Sequence, residues 1–179
     1  MTKTTRPSFA DVLLPLVLVL GSKYIGVFIV NLVLNLEWVF SFSVSQVFTL
    51  PFFQYANLAD LMLVNSISST FMIMVLTIGY SVALYRFQYF HENFVEPKVA
   101  ASLHSKKREY LIFSEVRAHT QITVWFILAC STFLVTLLEF LAGNIVLFVL
   151  SLNFIIVVLL GSATVFDMHK KGARKVKHK

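Results

Sequence analysis

Apolar residues fall into four long blocks along this chain, and the charged residues collect in the gaps between them. The blocks run from about Phe9 to Ser43, Leu61 to Tyr85, Ile122 to Leu141 and Ile145 to Phe166. A helix rises about 1.5 Å per residue and needs about 20 apolar residues to cross a hydrocarbon core of about 30 Å, so each block predicts a transmembrane helix. The first block is too long: as one helix, Phe9 to Phe40 would span roughly 48 Å. Either it is steeply tilted and bent at Pro15 and Gly21, or Phe9 to Ser22 lies at the inner interface and the crossing runs from Tyr24 to Ser43.

The gaps predict the connections. Only Ala142, Gly143 and Asn144 separate the third block from the fourth, and Gly-Asn is turn chemistry, so these two pair as a tight hairpin. Ser41 to Leu58 lacks charge and carries Phe42, Phe48, Phe52, Phe53 and Tyr55, which suits an outer loop lying among lipid headgroups or docking a partner. The other long gap is residues 86–120. There Pro97 suits the first position of a helix, and Val99, Leu103, Tyr110, Phe113 and Val116 recur opposite Lys106, Lys107 and Arg108. That pattern predicts an amphipathic helix on an anionic inner leaflet, with a solvated charged connector as the other reading. The expected fold is an all-α membrane protein. It is a single integral domain over residues 1–179, with four transmembrane helices as two antiparallel hairpins and a cytoplasmic amphipathic linker helix.

Composition agrees with the pattern. Of 179 residues, 58% are hydrophobic and 13% charged, and the mean hydropathy is +0.79. Soluble proteins carry about a quarter charged residues, so this chain belongs in a bilayer and has no room for a separate soluble catalytic domain. The net charge of +6 is unevenly placed. Of 15 Lys and Arg, Lys3 and Arg6 precede the first block, six lie between Arg86 and Arg117 and six follow Phe166, leaving Lys23 alone. The positive-inside rule then puts both termini in the cytoplasm, with the basic linker 86–120 and basic tail 167–179 against anionic lipid headgroups. A nucleic-acid-binding domain would interleave its basic residues with exposed aromatics; here the aromatics lie inside apolar blocks, and no nucleic-acid partner is expected.

Gly21-Ser22-Lys23 leads from the first apolar run straight into the next without a small-x-small cleavage site, so the N-terminus reads as an uncleaved segment. Lys175-Val176-Lys177-His178-Lys179 resembles the K-x-K-x-x retrieval signal of eukaryotic endoplasmic-reticulum membrane proteins. Basic tails also anchor topology in any organism. A prokaryotic cell membrane is the favoured location, or the endoplasmic reticulum for a eukaryotic source.

Polar residues inside apolar blocks are the candidate sites, because placing them there is costly: Lys23, Asn31, Asn65 and Glu139. Lys23 at mid-bilayer would cost about 2.5–3.5 kcal/mol without a partner. It is expected instead to snorkel from the inner boundary. Asn31 and Asn35 are four apart, hence on one helical face, while Glu37 and Glu139 are expected near the outer surface, solvated by water. Asn65, Ser66, Ser68, Ser69 and Thr70, followed by Gly79 and Ala83 at small-xxx-small spacing, predict a central packing helix in the second block, a polar pore lining being the alternative. His91, His119 and His169, with Glu92, Glu115 and Asp167, fall near the inner boundary as candidate metal ligands. No H-x-x-x-H spacing, phosphate loop or nucleophile elbow occurs, and Cys130 stands alone in an apolar run. No cofactor and no catalytic residue is therefore assigned. The expected function is a non-enzymatic structural or assembly component of a membrane complex, partnered by the bilayer and by further copies or other membrane proteins. Alternatives are a small transporter or channel using polar residues of the first two spans, and a metal-dependent membrane enzyme at the cytoplasmic boundary.

Overall fold

The computed structural model describes residues 9–41, 52–89, 97–106 and 115–177. Most of the aromatic loop, His91, and Lys107 and Arg108 of the expected linker face lie outside these residues. In chain order the elements are α1 (Phe9–Leu34), β1 (Trp38–Ser41), β2 (Phe52–Tyr55), α2 (Leu58–Tyr89), α3 (Pro97–Ser105), α4 (Glu115–Leu141) and α5 (Leu147–Lys177). Among the described residues, four segments are helical, long and apolar enough to cross a membrane: Phe9–Leu34, Leu58–Tyr89, Arg117–Leu141 and Leu147–Phe166. The chain is a membrane-embedded helical protein.

Helix ends account for most of the differences from the expected blocks. The first crossing does not reach Ser43. Helix α1 runs unbroken through Pro15 and Gly21 for 26 residues, about 39 Å, and stops at Leu34. Asn35 then takes the left-handed conformation at φ 49°, and the Leu36 N–H reaches back to the Asn31 carbonyl at 3.3 Å. This is the six-to-one bond of a Schellman ending. Helix α4 ends the same way, with Gly143 at φ 75° and N–H bonds from Gly143 to the Phe140 carbonyl and from Asn144 to the Glu139 carbonyl, each 2.9 Å. Asn35 is thus a helix terminator, and does not share a helical face with Asn31. Because β1 begins at Trp38, a crossing from Tyr24 to Ser43 is also excluded.

Part of the expected loop is a two-stranded antiparallel ribbon, in which Trp38 faces Tyr55 and Phe40 faces Phe53. Aromatic and β-branched residues favour this pleated arrangement. Pro97 occupies the first position of α3, as expected of a proline there, and α3 ends at Ser105.

The chain divides into two compact units. One comprises Leu16–Thr77 and Leu128–Val158. Its core holds Val27, Val30, Phe53, Leu61 and Val64 in one cluster and Ile73, Ile145 and Val149 in another. Within it α1 and α2 approach closely at Gly26, where an added Cβ would lie 2.9 Å from the Ser68 Cα. The other unit takes the start of α1 up to Pro15, Ile78–Ile127, and the chain from Leu159. There the Trp125 ring lies where a Gly79 side chain would be, and the Tyr80 and Thr164 hydroxyls are hydrogen-bonded at 2.8 Å.

A buried charged cluster as the candidate functional site

Lys23 lies past the midpoint of α1, a mostly apolar helix whose other buried polar residues are Asp11, Ser22 and Asn31. Its ammonium donates to Oε1 of Glu139 on α4, and the two side chains are only 11% and 1% exposed. The other carboxylate oxygen, Oε2, accepts the Ser69 hydroxyl of α2 at 3.2 Å. Asn65, one turn earlier on α2, is fully buried within reach of the same carboxylate, and its Nδ2 donates to the Asn144 carbonyl at 3.4 Å. Helices α1 and α2 therefore converge on Glu139 of α4 within one unit, α1 through Lys23 and α2 through Ser69 and Asn65 on neighbouring turns.

Lys23 does not snorkel: helix α1 carries it away from the helix ends, and the Glu139 carboxylate supplies the partner that water would have supplied. Glu139 is not solvated despite lying three residues from the turn at Ala142, because the Schellman ending folds the chain back beside it. Closeness to a loop in sequence does not set exposure.

Taking the two charges out of water costs several kcal/mol per ion, and only mutual attraction with good hydrogen bonding offsets it. The pair is electrically neutral as a whole, and Ser69 and Asn65 add neutral dipoles around the carboxylate. Replacing either charge alone would leave the other buried without a counterion.

Asn31 stands apart from this cluster, about 12 Å further along α1. Its Oδ1 accepts the Tyr55 hydroxyl at 3.0 Å, so it fastens the ribbon to α1 and does not bridge two membrane helices. Burial pushes the Tyr55 phenol above its ordinary pKa of 10.0. Of the three candidate histidines, His119 is described in full: it is exposed, with its ring edge-on to Phe87 at 4.9 Å. His91 and the His169 side chain lie outside the described residues, among which no group of three metal-ligating side chains assembles.

Sequence reasoning missed three partners. Ser69 was one hydroxyl among several in the second block, with nothing to single it out. Thr136 accepts a hydrogen bond from Asn153 Nδ2 at 2.9 Å, joining α4 to α5. In the other unit, buried Asp11 receives Arg117 Nη2 at 2.8 Å, Nε at 3.1 Å and Gln121 Nε2 at 3.3 Å, all on Oδ1. Asp11 carried a readable signal, since a carboxylate in the first turn of a membrane helix needs a reason. Comparison with known proteins returns no matching family, no matching curated protein and no matching solved structure.

Proposed function

We propose that this protein is a non-enzymatic structural or assembly component of a membrane complex. Its four spans form two antiparallel hairpins with both termini cytoplasmic, and the linker 86–120 and tail 167–179 meet anionic lipid headgroups. The supporting observation is the Lys23–Glu139 pair. A transport site keeps its charges within reach of the solute, whereas this carboxylate is closed off by Lys23 and Ser69 of its own unit. In lipid, where no hydrophobic force drives helices together, such polar contacts and close packing at small residues select which helices associate. The outward apolar side chains, among them Leu32, Val33, Phe148 and Phe154, are then available to lipid, further copies or other membrane proteins.

A charge-neutral double substitution tests this. Lys23→Met or Glu139→Leu alone should destabilise the protein by about 3–5 kcal/mol, and the two together should restore most of that loss. Mass measurement of the detergent-solubilised assembly should find the same defined oligomer or hetero-complex for the wild type and the double variant. A monomer that captures no partner would overturn the proposal.

The second reading is a small transporter or channel at Lys23, Asn31 and Asn65. It is favoured by Asn31 Nδ2, Asn65 Oδ1 and Asn153 Oδ1, which are buried with no hydrogen-bond partner among the described residues and offer polar atoms to a passing solute. Solute flux in liposomes that disappears in a correctly folded double variant would establish it.

A further inference from the structure

We infer that the groove beside the ribbon is a binding site for an organic ammonium group. The groove is open to the surface, has a volume of about 510 Å³ and is lined by Glu37, Trp38, Gln54 and Tyr55, with Leu36 and Val39. That volume lies within the range of small-molecule sites. Trp38 and Tyr55 are directly paired across the two strands, so their rings stand on one face of the ribbon. Both are held in place before any ligand arrives. Trp38 packs against Phe53 with ring centroids 5.1 Å apart and against Phe28 at 6.5 Å, and the Tyr55 hydroxyl is tied to Asn31. Trp38 nonetheless remains 39% exposed, which leaves indole surface for a ligand.

Charge decides the class of ligand. Glu37 is exposed at the groove, and from Tyr24 to Tyr85 the chain holds no Lys or Arg, only Glu37 and Asp60. An anion would find no cationic side chain from this stretch. A hard metal ion prefers six or more oxygen ligands, more than one carboxylate and one amide supply. An alkylated ammonium matches both features at once: its charge faces the carboxylate and its methyl or methylene groups lie on the aromatic faces, where cation–π attraction is strongest for Trp. A free solute and a phospholipid headgroup both carry this chemistry. The inference is independent of the role assigned to the Lys23–Glu139 pair.

Equilibrium dialysis of labelled choline against the full-length protein in phosphatidylglycerol nanodiscs tests the site. One saturable site per chain is expected, displaced by tetramethylammonium but not by sodium at equal ionic strength. Glu37→Gln, an exposed change that leaves the fold intact, should weaken binding at least about threefold, and Trp38→Leu about fivefold. No saturable uptake, or uptake unchanged in Glu37→Gln, overturns the site. Repeating the dialysis in phosphatidylcholine nanodiscs separates the two sources. Loss of choline uptake there identifies the headgroup as occupant, and equal uptake identifies a free solute.

Discussion

A missing side chain at position 26 sets how closely α1 approaches α2. An added Cβ would stand 2.9 Å from the Ser68 Cα and 3.2 Å from the Phe71 Cβ, and backbone cannot yield as a flexible side chain does. Gly26→Ala should therefore destabilise the protein by about 1–3 kcal/mol. Gly21→Ala, on the same helix with nothing within 4 Å of the new atom, should be neutral or stabilising by up to about 1 kcal/mol. Thermal unfolding of the two variants in one detergent makes the comparison, and equal losses would refute the close approach. Tyr55 gives a pH dependence at the same scale. Its raised pKa means that the folded state favours the neutral phenol, so this contribution is intact below pH 10 and is lost as pH rises through the higher, folded value. Melting temperature should fall at alkaline pH, and less steeply in Tyr55→Phe.

Two helices end by one device, and only one ending was legible. Gly143-Asn144 announced a turn because glycine takes a positive φ without steric cost. Asn35 performs the same task inside an apolar run, where an asparagine reads equally well as an interhelical hydrogen-bonding residue. Its tolerance of the left-handed region shows only when the chain beyond it turns away. Asn35→Gly should preserve the ending, whereas Asn35→Val should cost about 1–2 kcal/mol and loosen the ribbon that follows. Increased hydrogen exchange at Trp38–Ser41 in the valine variant would record that loosening. The ribbon itself was hidden because its strands are separated by the stretch 42–51 and carry no two-residue turn signal between them.

At the scale of the whole molecule, the distribution of Lys and Arg makes a prediction that side-chain geometry does not. With Cys130 replaced by alanine, Ala56→Cys should react with a membrane-impermeant maleimide in intact cells, and Ala173→Cys should react only after permeabilisation. Labelling of both in intact cells would refute the proposed orientation.

The amino-acid sequence by itself determined the four membrane segments and the uneven placement of basic charge. Transfer of a segment into lipid is close to a sum over its own residues, and a sum needs no knowledge of neighbours. Tertiary structure alone decided what the costly polar residues do. Lys23 meets Glu139 across 116 positions of sequence, Ser69 closes the other carboxylate oxygen, and Asn31 turns to Tyr55. Lipid is as apolar as leucine, so hydropathy cannot say which helix faces which. That choice falls to close contacts such as Gly26 against Ser68 and to the few polar groups that must find partners once the helices are inserted.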